Sequence, residues 1–205
     1  MARMLHEDLL RQLGLIEDVL KRIRNLVFNA KSMSNRPELQ AYTRRNIESL
    51  ANECSSLVAL FSNFVAALKE ISSECEARLG WFRTLPKQLQ QRHLTEYGTN
   101  QVEFLMRSAE THVKELSGIL AALSQNLMKA MARLKQDDIS LVNELSQDLE
   151  RSIIITIAAL TKGIAEDFAK AVELQNALAS EASAKPAKSS LFSRLFGFKP
   201  APAAT

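Results

Sequence analysis

The residues of this chain that could catalyse a reaction or bind a metal are few, and their spacing suits neither task. Its three histidines, His6, His93 and His112, are too far apart for the i, i+4 spacing of a helical zinc site. Glu110 precedes His112 by two residues, whereas the Glu-x-x-His motif of a helical di-iron site needs three. The sequence also has no Cys-x-x-Cys pair and no glycine-rich phosphate loop. We therefore expect no catalytic residue, no metal ligand and no cofactor, and a protein that is not an enzyme.

The two cysteines are predicted to be reduced side chains in a helical core. Cys54 and Cys75 lie 21 residues apart in the sequence, which separates them by roughly 30 Å on one helix. A disulfide needs Cα atoms within about 7 Å of each other, so these two cannot bond in that helix. Acidic residues at Glu7 and Asp8 interrupt the apolar run that a signal peptide needs. We expect a cytoplasmic protein.

The composition favours a single helical domain. Hydrophobic residues make up 46% of the 205 residues, which excludes disorder over the whole chain. Only 6 glycines and 5 prolines are present, too few for the many turns of a β-sandwich. No glycine-rich turn from a strand to a helix is present either, which argues against a doubly wound α/β enzyme.

Apolar residues recur at alternating steps of three and four along most of the chain, which is the heptad spacing of packed helices. The pattern predicts helices over about 5–33 and 37–79, with Gly80 as the stop of the second. Residues 86–97 read as a less regular helix, and Asn100 with Glu103 has the spacing of a capping box before a third long helix that ends near residue 134. A fourth helix, capped by Asp137 or Asp138, has more steps of four and should be straighter. A continuous third and fourth helix remains an alternative. The predicted core positions of the second helix are Ile47, Leu50, Cys54, Leu57, Phe61, Phe64, Leu68, Ile71 and Cys75.

These helices predict an all-α fold, namely an elongated antiparallel bundle or coiled coil of three to four long helices over residues 1–182. A flexible linker with a disordered, amphipathic tail should follow at 183–205. The stretches 57–64 and 153–160 are broadly apolar and fall at about the same height in an antiparallel bundle. A helix that is apolar on more than one face must be central or must contact another subunit. We therefore expect a homodimer.

Basic residues are predicted to gather at one end of the bundle, which we call the basic tip. Antiparallel packing brings the turn between the first two helices to the same end as the last turns of the third. Such a cluster can hold nucleic acid or anionic lipid, or can simply be a solvated end. Aromatic residues that could stack on bases are missing from it apart from Tyr42. The residues of the basic tip are Lys31, Arg36, Arg44, Arg45, Lys129, Arg133 and Lys135.

The C-terminal tail carries the clearest functional signal. Residues 185–205 contain four Lys or Arg and no Asp or Glu. Residues 137–184, by contrast, contain three Lys or Arg and nine Asp or Glu. In a helix, the large apolar residues of the tail fall within an arc of roughly 160°, which suits an anionic membrane surface. The predicted membrane-binding residues are Leu191, Phe192, Leu195, Phe196 and Phe198 for insertion, with Lys188, Arg194 and Lys199 for attraction to headgroups.

Residues 191–197, Leu-Phe-Ser-Arg-Leu-Phe-Gly, preceded by Lys188, resemble the C-terminal membrane-targeting helix of the MinD family of division-site ATPases. The chain has no nucleotide-binding motif of that family, so the resemblance implies only the chemistry of the tail. We expect a non-catalytic scaffold or adaptor that binds peripherally to the inner face of a membrane or to another lipid-coated surface. A groove on a partner protein and the bundle itself are alternative docking sites for the tail. The alternative function is a soluble protein-assembly or nucleic-acid-associated factor that acts through the basic tip.

Overall fold

The protein is all-α, as predicted. The computed structural model describes residues 2–33, 36–94, 98–135, 138 and 140–183, and within these ranges it contains no β-strand. One 3₁₀ turn (Pro37–Leu39) precedes the second helix, and one π-helical segment (Ile153–Ile157) joins the last two helices. The α-helices are α1 (Ala2–Met33), α2 (Gln40–Thr84), α3 (Lys87–Gln90), α4 (Gln101–Leu134), α5 (Ser140–Ser152) and α6 (Ala158–Ser183).

The long helices form an antiparallel four-helix bundle. Helix α1 packs against α2, α2 against α4, α4 against α6, and α6 together with α5 against α1. The longest helix, α2, has 45 residues, which makes the bundle about 67 Å long. Because α4 and α6 lie side by side, a continuous third and fourth helix is excluded. The α5 helix, the π-helical segment and α6 together form the fourth long element of the bundle, which we call the fourth leg. It begins at Asp138, whose carboxylate accepts a hydrogen bond from the backbone N–H of Ser140 at 3.0 Å, as the predicted cap requires.

The heptad positions form the core. All nine predicted core residues of α2 are buried, and the largest fully buried side chains of the bundle are Phe61, Phe64 and Phe168. Apolar residues of α1, α4, α5 and α6 are buried or partly buried in the same cluster. The heptad spacing predicts the buried residues because each helix presents one face to the bundle axis.

The C-terminal end of α2 differs from the prediction. Gly80 does not end the helix, which continues to Thr84, because the buried side chain of Phe82 packs in a small second core with Val102 and Leu178. That burial offsets the roughly 1 kcal/mol that a glycine costs inside a helix. The helix stops at Leu85, which has an extended backbone with ψ of 152°, as expected for a residue that precedes a proline.

The segment between α2 and α4 is also less helical than predicted. Among the residues of this segment that the structure describes, only α3 is helical, and it is followed by a turn in which His93 has φ of 60°. The backbone of Leu94 then pairs with that of Asn100 as a single antiparallel bridge. Gly98, with φ of +75°, lies between them and takes the left-handed conformation that glycine adopts at least cost.

The fourth leg contains a π-helical segment where we expected a straighter helix. Core residues Leu145, Leu149, Ile153 and Ile157 follow one another in steps of four. At 3.6 residues per turn, each step of four overshoots a full turn by about 40°, and three steps rotate the seam by about 120°. The π-helical turn, with its i→i+5 hydrogen bonds, accommodates extra chain and restores the core face. Ile155 is consequently turned outward and is 70% exposed.

Helix α1 covers only part of the bundle, as its length predicts. The Arg22 Nε atom lies 2.9 Å from the Glu53 carboxylate of the antiparallel α2, so the start of α1 reaches about the level of residue 70. Beyond that level, towards the C-terminus of α2, a pair of polar side chains connects α2 to α6. The Arg78 guanidinium donates to the side-chain carbonyl of Gln175 at 2.9 Å, and the amide of Gln175 donates to the backbone carbonyl of Arg78 at 2.9 Å. The surface that α1 leaves uncovered is therefore partly polar.

Candidate functional site

The structure fixes the point from which the predicted tail leaves the bundle. Helix α6 ends at Ser183, and the membrane-binding residues predicted between 188 and 199 lie outside the described residues. Near this end, the guanidinium of Arg92 forms an ion pair with the carboxylate of Glu181. The tail therefore begins beside the segment that connects α3 to α4. We call this end of the bundle the tail end, defined by residues 78–94, 98–107 and 175–183.

Asn100 holds the tail end together. Its side-chain oxygen accepts a hydrogen bond from the backbone N–H of Val102 at 2.8 Å and so caps α4. Its amide nitrogen donates to the backbone carbonyls of Gln90 at 2.7 Å and Arg92 at 2.6 Å. With only 6% of its surface exposed, Asn100 ties the connecting segment to the first turn of α4. The predicted cap is confirmed.

Glu103, the other half of the predicted capping box, has a different role. Its carboxylate accepts from the Arg107 guanidinium at 2.8 Å and lies 3.6 Å from that of Arg83. The hydrogen bond from Arg107, followed by the contribution of Arg83, holds the pKa of Glu103 below its usual value. Glu103 therefore links α4 to the end of α2.

The tail end combines cations with exposed apolar side chains. Residues 78–107 contain five Lys or Arg and two Glu. Leu94 is 51% exposed, Phe104 is 55% exposed and Trp81 is 36% exposed. Trp81 and Phe82 both belong to α2, and of the two only Phe82 is buried in the core. Leu94 and Phe104 were not predicted from the sequence, because neither belongs to a periodic pattern that marks it as exposed.

The predicted basic tip lies at the opposite end, and its cations are spread along the bundle axis. All seven of its residues are exposed. Ser55 Oγ lies 3.3 Å from Met131 Sδ, which sets the register of α2 against α4. Measured from that level along the axis towards the N-terminus of α2, Arg44 lies about 16 Å away and Arg133 about 3 Å away. The cations of α2 and those of α4 are therefore offset by roughly 13 Å. Arg133 also lies 3.4 Å from the Asp138 carboxylate.

Two exposed aromatic residues lie near the basic tip. Tyr42, which the sequence singled out, is 57% exposed, and Phe28 is 71% exposed. Phe28 was not expected there, because it belongs to the outer face of α1.

The middle of the bundle has a surface without charged residues, which we call the neutral belt. It consists of residues 54–68 of α2, 116–128 of α4 and 152–161 of the fourth leg, and none of these 38 residues is charged. The contact between Ser55 and Met131 places the first two stretches at one level. By length and composition alone, Pro37–Thr84 is apolar enough to cross a membrane, yet only 33% of its most apolar 18-residue window is buried in the bundle.

The cysteines and His112, which are the side chains best suited to chemistry, lie within the helix packing of the bundle. Burial raises the pKa of both Cys54 and Cys75 to about 12, which leaves the thiols protonated and weakly nucleophilic. His112 Nδ1 lies 4.0 Å from the carboxylate of Asp167. Within the described residues, no group of three or more His, Cys, Asp or Glu side chains is arranged to hold a metal ion.

Fold and surface together define an all-α antiparallel bundle that has a basic, partly apolar surface at each end and a neutral belt between them. Comparisons with known proteins found no matching family model, no similar curated protein and no similar solved structure.

Proposed function

We propose that the protein is a non-catalytic scaffold or adaptor that binds peripherally to an anionic membrane, on its cytoplasmic side, through the C-terminal tail. The observation that carries this proposal is the tail itself, in which large apolar residues alternate with cations and no acidic residue follows Glu181. The bundle supports it, since α6 ends at the end of the molecule and leaves the tail in reach of a surface.

The expected energetics describe a reversible anchor. Five large apolar side chains each gain roughly 1.5–3 kcal/mol when they are fully buried. Ordering so short a helix offsets much of that gain, because an isolated helix of this length is marginal in water. A single tail should therefore bind weakly, and two tails on one dimer should bind much more tightly, because the second engages at high effective concentration.

Vesicle co-sedimentation of the full chain tests this proposal. Vesicles in which about a third of the lipid is phosphatidylglycerol and the rest phosphatidylcholine supply an anionic surface. The double substitution Phe192→Ser/Phe196→Ser should abolish binding, and the control Ser190→Ala/Ser193→Ala on the polar side of the tail should retain it. The proposal fails if the first variant pellets with the vesicles as well as the unsubstituted chain does.

We further propose that the chain forms a homodimer through the neutral belt. Two neighbouring helices about 10 Å wide, with 15 uncharged residues along the axis, offer a patch of roughly 450 Å² on each protomer. That total of about 900 Å² lies just below the usual range for stable complexes, so the dimer should be weak and concentration-dependent. Depletion of charge is typical of the centre of such interfaces, and exposed Met128 (50%) of α4 supplies an apolar contact.

Sedimentation equilibrium tests the dimer. Ala121→Arg places a charge on the exposed face of α4 that borders α2 within the belt and should shift the chain to monomer. Thr111→Arg adds the same charge to an exposed position of α4 outside the belt and should leave the association unchanged. An unsubstituted chain that stays monomeric at high micromolar concentration, or equal weakening by both substitutions, would refute the proposed interface.

A second candidate function uses the basic tip to bind nucleic acid. The observation that favours it is the exposure of Phe28 and Tyr42 near the cations, since bases stack on aromatic rings in single-strand binding proteins. Arg44→Glu/Arg45→Glu should then abolish binding of a single-stranded oligonucleotide, whereas Lys162→Glu/Lys170→Glu on α6 should not. Equal binding by both variants would remove this candidate.

A further inference from the structure

We infer that the tail end of the bundle is itself a lipid-binding surface, which docks end-on onto an anionic membrane beside the inserted tail. This inference rests on the proposed function, because it assigns to the folded part of the chain a share in the same contact. It is carried by described residues: Leu94, Phe104 and Trp81 are exposed at that end, and Lys and Arg residues belong to the same end.

The exposed apolar side chains lie at nearly one level. Trp81 is three residues before the end of α2 at Thr84, and Phe104 is three residues after the start of α4 at Gln101. Each is thus within about 5 Å of its helix end along the axis. Leu94 belongs to the segment that crosses the same end. An amphipathic tryptophan or a phenylalanine at the rim of a protein is typical of contact with the boundary between lipid headgroups and acyl chains.

The segment that presents Leu94 is firmly attached, so its exposure is a fixed property of the fold. The Asn100 amide holds the backbone carbonyls of Gln90 and Arg92, and the backbone N–H of Gln101 donates to the carbonyl of His93 at 2.9 Å. The Arg92–Glu181 ion pair joins the same segment to the last turn of α6. A rigid surface binds without the ordering cost that the tail must meet.

The charges at this end complement an anionic surface. Residues 78–107 and 175–183 together have a formal excess of two positive charges, and residues 185–205 of the tail add four more. Basic residues close to an anionic leaflet are attracted to it over about one Debye length. Positions at the end of the bundle come within that distance when the tail inserts. In the basic tip, by contrast, Arg44 lies about 60 Å from the end of α2 and Arg133 about 48 Å from the start of α4.

Three full-chain variants separate this inference from the proposed function. Leu94→Ser/Phe104→Ser alters the tail end, and Phe192→Ser/Phe196→Ser alters the tail. Phe28→Ser/Tyr42→Ser is the matched control, because it removes two exposed large side chains at the opposite end. Partitioning is measured on vesicles with about a third phosphatidylglycerol and on vesicles of phosphatidylcholine alone. Circular dichroism checks that each variant melts as the unsubstituted chain does.

The tail-end variant should bind the anionic vesicles about tenfold more weakly than the unsubstituted chain, because about half of each side chain no longer enters lipid. The control should bind normally. If the tail-end variant binds normally while the tail variant fails, the inference is wrong and the proposed function stands. If the tail variant binds normally and the tail-end variant fails, the bundle is the anchor and the proposed role of the tail is wrong. If the unsubstituted chain does not bind anionic vesicles, the inference and the proposed function are both wrong.

Discussion

Deletion of Ile155 tests whether the π-helical segment accommodates one extra residue in the fourth leg. In a regular α-helix, removing one residue rotates everything beyond it by about 100° and shifts it by 1.5 Å. Within the segment Ile153–Ile157, the same deletion converts a widened turn into an ordinary α-helical turn. The side chains beyond it should then keep their orientation towards the core.

The expected cost of this deletion is small. Ile155 is 70% exposed, so its removal sacrifices little burial, and we expect the free energy of unfolding to change by less than about 1.5 kcal/mol. The buried residues Ile164, Phe168 and Leu178 remain in the core. Deletion of Ala121 from the regular helix α4 is the matched control. It rotates Leu127 and Leu134 out of the core, at roughly 1.5–3 kcal/mol each, which is a large fraction of the 5–15 kcal/mol that stabilises a typical domain.

Urea unfolding followed by circular dichroism at the helical band measures both variants. We expect a cooperative transition near that of the unsubstituted chain after deletion of Ile155, and an early or non-cooperative one after deletion of Ala121. Equal destabilisation by the two deletions would show that the π-helical segment does not absorb an extra residue, and would refute the explanation of its origin.

Three smaller predictions concern individual side chains. Asn100→Ala should cost about 2–4 kcal/mol in urea unfolding, because it removes the cap of α4 and leaves two backbone carbonyls unpaired. Ellman's reagent should not react with Cys54 or Cys75 at pH 8 until the protein unfolds, because their pKa values are raised to about 12; fast reaction of the folded protein would contradict their burial. The lowered pKa of Glu103 means that its ion pairs contribute stability above the unfolded pKa of about 4.3, and this contribution is lost as the pH falls through the lower folded value. Glu103→Gln should therefore flatten the decline of the melting temperature below pH 4.5, and an unchanged acid profile would contradict this.

Heptad spacing predicted the core because burial on one helix face leaves a strong periodic signal. It located the buried residues of α2 from Ile47 to Cys75 and indicated the antiparallel order. It could not locate the end of α2, because the choice between stopping at Gly80 and continuing depends on Phe82. That side chain is buried by Val102 and Leu178, which are far away in sequence, and local propensity does not include such contacts.

The candidate sites were predicted less completely than the core. The basic tip followed from the order of the helices, but its offset of roughly 13 Å depends on the axial register of α2 and α4. Heptads repeat every seven residues and therefore do not specify that register. The tail end was overlooked because its exposed residues, Leu94 and Phe104, depend on a turn closed by Asn100. The tail itself, at 184–205, stays a prediction from sequence.

The proposed dimer and the proposed end-on contact restrict each other. In an antiparallel dimer the two tails would leave opposite ends of the bundle, about 67 Å apart. The six linker residues 184–189 reach at most about 20 Å when fully extended, so two tails could not join one end-on contact. End-on docking by both tails therefore requires a parallel dimer, in which the two-fold axis runs along the bundle and α2 of one protomer faces α4 of its partner.

Energy transfer between labelled protomers distinguishes these arrangements. Gln88 is exposed near the tail end, and Gln88→Cys provides a single reactive thiol because Cys54 and Cys75 are buried and weakly nucleophilic. Donor and acceptor on the two protomers of a parallel dimer should lie within the dimer's width, roughly 20–40 Å, and transfer efficiently. Near-zero transfer at concentrations where sedimentation shows a dimer would indicate antiparallel protomers. The bundle would then have to lie flat on the membrane, and the tail end could not be the shared contact.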